Sequence, residues 1–548
     1  MKKKLLTMIL AISMTLSVCA CGSSKPETKV SEESSSSEES TQKSSVETSL
    51  EEEVSMTYPI VEEPIKVTGL IWGGDTSVRS DRLVWNKVSE VTGINIEWEH
   101  IGVDALPTYL AGGEWPDFMH VTLESFQVND YGVIGGRFVN YLDYLDYMPN
   151  LKKAFEKYPM AKKALIESNG EMYSLPNIEI SSTLTACRPY VRTDVLESLG
   201  LQMPKTVEDF YNVLVVMKEK TGQAGFIPKV SNDENGWTPM LFAAFGTLTN
   251  MNFDDDGSGK VIFNRTSEQM KNYYKFMNKL YEEGLIHQEY LTIDSSAMND
   301  MAKAGKLVFL EDTGATGLVA SDFADGKFHI DCCPPLISDY DNTQEILGKP
   351  YVNNYGGFYI NKDSEYIEEL CRMFDIMYAT DEVVEGSGLH GMSFCYGMEG
   401  VHWDYGAEGS GEYHLYAPEE YDGAFSPFQI YELIWMNAGL NDALAGLVTD
   451  TEGNNRERQI AFVKNVIPYQ SEVYFPVGLL KFTEDEQYIL DNHLSDIKTY
   501  YKEMEGKFIT GVLDIETEWD NYCATLEKMC VQDVINVYQA SYDRYNAE

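Results

Sequence analysis

An α/β fold is what this sequence predicts for the larger part of its 548 residues, and three neighbouring patterns carry that prediction. Ile65 to Trp72 is a short apolar stretch bounded by Pro64 and Gly73-Gly74, the pattern of a strand. Val84, Val88 and Val91 then recur at helical spacing, and Gly93 supplies a C-terminal stop. Ile94, Ile96 and Trp98 alternate, as a second strand does. Strand, helix and strand with short connections imply parallel neighbours and a right-handed crossover.

In chain order, the first element is a leader. Lys2, Lys3 and Lys4 form a positive n-region, and Leu5 to Val18 is a mostly apolar run of 14 residues. That run is too short to span a bilayer comfortably and reads as the h-region of a secretory signal over residues 1–20. The following segment, 21–57, is dominated by Ser, Glu, Thr and Lys. It buries too little apolar surface to offset its ordering entropy, so it is expected to be a disordered tether. Residues 22–57 make a coil with a root-mean-square span of roughly 30–36 Å.

The body that remains has about 490 residues, enough for two or three domains. The chain is 43% hydrophobic and 12% aromatic, which is a globular composition. No later apolar run approaches the ~20 residues of a membrane helix, which excludes a permease. The formal net charge is −45, and without the three signal lysines it is −48. Such a body repels nucleic acid and anionic lipid, so neither is an expected partner. Seven of the nine cysteines lie beyond Cys21, without a CxxC pair, and indicate neither a zinc ribbon nor a thioredoxin site.

After the first crossover, Leu106 and Leu110 place a helix that stops at Gly112-Gly113, and Asp117 to Val121 reads as the next strand. Further on, Met270, Tyr273, Met277 and Leu280 fall at helical spacing, as do Leu490, Leu494, Ile497, Tyr501 and Met504. Trp519, Tyr522, Leu526 and Met529 make another such stripe. Stripes of this kind usually face a core, so their aromatics are read as packing residues. "LVFLED" and "GGFYINK" read as short strands within a mostly helical later chain.

Several of these segments carry a resemblance. Val18-Cys19-Ala20-Cys21 resembles the bacterial lipoprotein box, with Val18 and Ala20 fitting Cys21, which implies lipidation of Cys21 and a membrane anchor. "LAGGEWPDFMHV", "NGEMYSLP", "YVRTDVLESLGLQMPKTVEDFYNVL", "MNKLYEEGLIHQEYLT", "YGMEGVHW" and the tail "EMEGKFITGV … EWDNY … YQASYDRY" are similar to segments of extracellular solute-binding proteins. In this order, over about 58–545, they resemble the large oligosaccharide-binding branch of these receptor subunits of ABC importers. The resemblance implies a two-lobed periplasmic-binding-protein-like α/β fold with discontinuous lobes, a hinge, a central ligand cleft and a helix-rich second lobe. The first lobe is expected over 58–155 and 350–393, and the second over 156–349 and 394–548. It also implies an oligosaccharide ligand, ABC permease subunits as partners, a monomer, and a place on the outer face of the bacterial cell membrane.

Sugar recognition needs flat aromatic faces for the C–H faces of the rings and planar polar groups for the hydroxyls. Aromatics in Gly-rich or polar loops are therefore the candidates, each against the alternative of structural packing. Trp72 ends the first strand at the carboxyl edge, where α/β clefts form. Trp237 sits in a turn-rich loop, and Tyr355 and Trp435 are further candidates. By the resemblance, Tyr396, Glu399 and Trp403 line the cleft. Arg188 and Arg192 flank Tyr190 and are placed to fork onto hydroxyls or a uronate, Asp194 is expected to cap the next helix, and Asp117 either reaches the cleft or ends a turn.

No catalytic residue is assigned, because HExxH, GxSxG and a phosphate-binding GxxxxGK[ST] are all missing from the sequence. Among 87 acidic residues a carboxylate pair at glycosidase spacing arises by chance. No cofactor is expected. Asn252-x-Asp254-x-Asp256-Gly257 copies half an EF-hand, but position twelve is Phe263 in place of the bidentate Glu, so it reads as a hairpin turn with calcium as the alternative. Some relatives bind calcium after the "LGLKVPKT" helix, and Thr221 to Gly225 lacks the carboxylates for that. The rival readings are a peptide- or amino-acid-binding receptor of the same fold and a surface glycoside hydrolase or lyase.

Overall fold

The parallel unit expected at the start of the body is present in the computed structural model. It describes residues 57–72, 83–178, 189–228, 237–246, 252–311, 328–345, 352–353, 357–380, 384, 386–394, 397–407, 410, 412–416, 448–449, 460, 464–469 and 475–547. β1 (Ile65–Trp72) and β2 (Ile94–Ile101) pair in parallel from Ile65 against Ile94 to Trp72 against Ile101, with α1 (Leu83–Thr92) between them. α2 (Leu106–Gly112) ends at Gly113 in the left-handed region and leads into β3 (Phe118–Val121), which pairs in parallel with β1 on its other side. α3 (Ser125–Val128) follows and runs on into a π-helical turn over Asn129–Ile134. α4 (Pro149–Lys157), α5 (Pro159–Lys163) and the two-residue β4 (Asn177–Ile178) complete this stretch.

A second sheet opens with β5 (Pro189–Arg192), then α6 (Thr193–Leu199) and α7 (Val207–Thr221). Thr206 and Asp209 form a reciprocal capping box at the start of α7, which satisfies two donors the first turn leaves unpaired. α8 (Trp237–Ala243) precedes a hairpin of β6 (Phe253–Asp255) and β7 (Val261–Phe263). That hairpin is where the half EF-hand pattern falls. α9 (Glu268–Glu282), α10 (Ser295–Lys303), β8 (Phe309–Glu311) and β9 (Ile330–Cys332) follow, and β5 lies between β8 and β9, antiparallel to both.

The chain then returns. β10 (Val352–Asn353) pairs antiparallel with β4, and β11 (Gly357–Ile360) pairs antiparallel with β3. The first sheet thus has the order β11-β3-β1-β2. α11 (Ile367–Asp375) and short strands β12 (Met392–Ser393), β13 (Gly397–Met398), β14 (Trp403–Tyr405), β15 (Glu412–Leu415) and β16 (Val448–Thr449) lead to the helical tail. The tail is α12 (Glu484–Ile509), α13 (Ile515–Lys528) and α14 (Val531–Ala547).

Strand alternation divides the first sheet between two cores. Val67, Phe118, Phe358 and Ile360 face one core with Val84, Trp85 and Val88 of α1 and Leu370 and Phe374 of α11. Leu70, Met119, Val121 and Tyr359 face the other, with Leu106 and Leu110 of α2. Each side chain of this size contributes roughly 1.5–3 kcal/mol on burial. Ala161, Leu165, Ile166, Met172, Leu175, Ile178, Met392 and Phe394 also belong to the α1–α11 core, so the boundaries expected at 155/156 and 393/394 fall within it. A separate, larger core joins β5 and β8 to α7, α9 and the tail helices. The three helical stripes read from the sequence face it: Tyr273, Met277, Ile497, Tyr522 and Leu526 are all buried. No described helix is long and apolar enough to cross a membrane.

Candidate functional site

The carboxyl ends of β1, β2 and β3 bring Trp72, Ile101 and Val121 to one edge of the first sheet. Gly357 pairs with Val121 and so begins β11 at the same edge. A Cβ on Gly357 would lie 2.8 Å from the Tyr359 ring and 3.1 Å from Ser174 Cβ, so glycine lets the segment that leads into β4 pack against this edge. The β4–β10 ribbon therefore stands beside it, where the chain leaves for β5 and later returns. In open α/β sheets such a carboxyl edge is where ligands bind. In the second sheet, Pro189 pairs with Glu311, and Cys333 donates its backbone N–H to the Pro189 carbonyl at 2.9 Å.

Trp72, the last residue of β1 at this edge, is half-buried and packed on the α2 core. Phe126, one turn after β3, is 59% exposed and was not singled out in the sequence, where it follows no Gly-rich loop. Its signal is positional, being the first large aromatic after a carboxyl strand end. The remaining candidates divide. Asp117 accepts from the Thr68 N–H at 2.7 Å, the Thr68 hydroxyl at 2.8 Å and the Ser364 hydroxyl at 2.7 Å, at the amino end of β3. These bonds tie its carboxylate to β1 and to Ser364, at the end of the sheet away from the carboxyl edge.

Tyr190 is 2% exposed, in the larger core. Arg192 is also buried: its guanidinium bonds both carboxylate oxygens of Asp194 and the Ala302 carbonyl, and stacks 3.7 Å from the Phe328 ring centroid. Its donors serve the fold. Asp194, expected as a helix cap, is held by that pair within the first turn of α6. Trp403 is 1% exposed; its Nε1 donates to the Gly397 carbonyl at 3.3 Å and its ring meets Tyr405 edge-on. Neither face of the indole is open to a ligand. Glu399 donates its N–H to the Gly391 carbonyl at 2.8 Å and bridges to Trp403, keeping its half-buried side chain against Gly391. Trp237 begins α8, and its side chain lies outside the described residues, as do Cys21, Arg188, Tyr355, Tyr396 and Trp435.

His402 accepts the Met398 N–H on Nδ1 at 3.0 Å, and burial lowers its pKa, so it stays neutral and shapes the loop. Tyr173 donates to Glu171 and accepts from Asn169; burial, reinforced by Glu171, pushes its pKa up to about 12. In the β6–β7 turn, Asp255 accepts from the Gly257 and Gly259 N–H groups and Asp256 from Ser258. Among the described residues no group of three His, Cys, Asp or Glu is placed to hold a metal ion. Cys333, Cys371, Cys523 and Cys530 are free thiols, and burial pushes the Cys333 thiol well up.

A family model described as bacterial extracellular solute-binding protein matches residues 80–383, more than half of the chain. The chain belongs to that family. Its solute-binding relatives include the fructooligosaccharide ABC transporter substrate-binding protein FusA of Streptococcus pneumoniae, 25% identical over 506 residues, 85% of this chain and 88% of FusA. Lipoprotein LipO of Bacillus subtilis is 31% identical over 222 residues, 39% of this chain and 42% of LipO. Among solved structures, an HMO-binding solute-binding protein from Bifidobacterium longum infantis superposes with a TM-score of 0.67 at 20% identity, over 88% of this chain and 99% of that one. FusA in complex with kestose gives 0.62 at 23% identity, over 88% and 100%. Another FusA structure is an EF-hand mutant. These solute-binding proteins share the two-lobed α/β fold expected from the sequence.

Proposed function

We propose that this solute-binding protein captures an oligosaccharide outside the cell and passes it, chemically unchanged, to the membrane subunits of an ABC importer. The observation that carries the reading is two separate cores, each built on its own sheet, the first of which presents a carboxyl strand edge that ends in the half-buried Trp72. Relatedness to FusA over most of both chains supports a sugar over a peptide. One lobe is assigned to 58–178 and about 352–398, and the other to 189–336 and the tail helices from 480. Each contributes to the cleft, so ligand contacts complete only when the lobes close, and binding shifts the population to the closed form. Trp72 and Phe126 are assigned as stacking platforms, with Arg188, Trp237, Tyr355 and Tyr396 as further contacts. Cys21 is assigned as the lipid-bearing residue and 22–57 as the leash, with LipO's name as support. Capture is assigned no metal, since the turn carboxylates of 254–256 are committed to hydrogen bonds within and beside their own hairpin.

The test is a thermal-shift screen of the mature chain against kestose, other plant and microbial oligosaccharides, amino acids and short peptides. A ligand at 100-fold excess over Kd adds about 2.7 kcal/mol to the folded state. A sugar hit recovered intact supports the reading, a peptide hit overturns the ligand class, and a shortened sugar overturns the mechanism. Trp72→Ala is expected to weaken the sugar hit by about 1–3 kcal/mol, the scale of a lost stacking platform, while the variant still unfolds in one cooperative transition at a somewhat lower melting temperature.

A further inference from the structure

Three segments far apart in sequence meet where the two large cores adjoin. Leu479 is 4% exposed and belongs to the α1–α11 core, whereas its neighbour Leu480 is 5% exposed and belongs to the larger core. Consecutive side chains thus anchor the same short stretch in both bodies. Lys481 follows, and its Nζ reaches Glu167 at 2.6 Å, with the two side chains only 15% and 12% exposed. Its carbonyl is held from the other body, by the Ser541 hydroxyl and an Arg544 guanidinium nitrogen of α14, each at 2.7 Å. Arg544 is itself fixed by a two-point pair with Glu486 at 2.6 and 2.7 Å. From the first body, Lys163 donates to the Tyr545 carbonyl at 3.3 Å, and Tyr545 packs against both cores. The cavity these groups enclose is about 30 Å³, too small for a sugar, so the cluster joins the bodies and takes no ligand.

We propose that Lys481, Glu167 and the last two turns of α14 form a pin at the junction of the two lobes that limits their relative orientations to those from which they close on a ligand, which makes Lys481 and Glu167 positioning residues for solute capture. The inference rests on the solute-capture reading only for its purpose; the geometry it asserts belongs to the unliganded chain. A part-buried ion pair of this kind is geometrically selective, since it holds only when both lobes present their charges within about 3 Å. With the pin broken, lobe orientations that do not fit the ligand become populated, and apparent affinity falls in proportion to the lost competent fraction.

Small-angle X-ray scattering of the ligand-free mature chain tests this without any sugar. Glu167→Lys and Lys481→Glu are each expected to broaden the pair-distance distribution and raise the radius of gyration. The double charge swap is expected to return both to wild-type values. Glu167→Gln and Lys481→Met serve if a reversal does not fold, with thermal unfolding as the check on each core. Scattering that superimposes on wild type for the folded single variants, or a swap that does not restore it, overturns the pin and leaves the ligand assignment untouched.

Discussion

At Trp403 the same residue supports two different accounts, and burial decides between them. In sequence it sits between Gly400 and Gly406 with Glu399 and Tyr396 close by, the setting of a sugar platform. In the fold its ring is closed off on both sides and its N–H is used. Trp403→Ala is therefore expected to cost about 3–5 kcal/mol of stability, the scale of a truncated buried aromatic. A urea titration checks it; an unchanged midpoint with weakened sugar binding would return Trp403 to the ligand. Arg265 makes the same point for charge. It is fully buried, and bonds Glu505 at 2.7 Å, the Tyr274 hydroxyl at 3.1 Å and the Asn252 side chain at 2.9 Å. Glu505→Ala leaves that guanidinium without its counter-charge and is expected to destabilise by about 3–5 kcal/mol in the same titration.

Among the elements, periodicity told most where a stripe met one core. The α9, α12 and α13 stripes and the β1–α1–β2 unit were legible because 3.6- and 2-residue periods translate directly into buried faces. Helix ends that depend on distant partners were not. The first turn of α4 is capped from α11: Asp375 accepts from the Asn150 N–H and side-chain amide and from the Leu151 N–H, at 3.2, 2.8 and 2.8 Å. Burial pushes the Asp375 carboxyl up to about 7 despite these donors. The folded pKa then lies above the unfolded one, so this group's stabilisation is full below about pH 4 and is lost as pH rises to about 7. The expected loss is as much as about 4 kcal/mol across that window. Urea midpoints at pH 4.5 and 8 should show this slope in wild type and lack it in Asp375→Asn. Equal slopes would remove the account. Gly397 is a second local case: at φ +87° a Cβ would lie 2.6 Å from His402 Nδ1, a constraint invisible without the fold.

For the whole molecule, the sequence pointed to the family and to two lobes, because short motifs in a fixed order over 58–545 are jointly specific. The candidate site was less legible. Sequence proximity placed Arg192, Tyr190 and Trp403 near a ligand, yet all three side chains are buried. Tyr190 is covered by strands more than a hundred residues on, whereas Trp403 is closed off by its own loop, and neither direction shows in a residue pattern. Glu167 and Lys481 are 314 positions apart and share no motif, so their pairing had no sequence signal. As proposed, the receptor works by closing its two lobes on the sugar. That account is tested most directly by titrating the mature chain with the oligosaccharide identified in the screen while recording small-angle scattering. A saturable fall in radius of gyration, with the sugar recovered unchanged, is the predicted result. Saturation of binding with no change in scattering, or release of a shortened sugar, would contradict capture by closure.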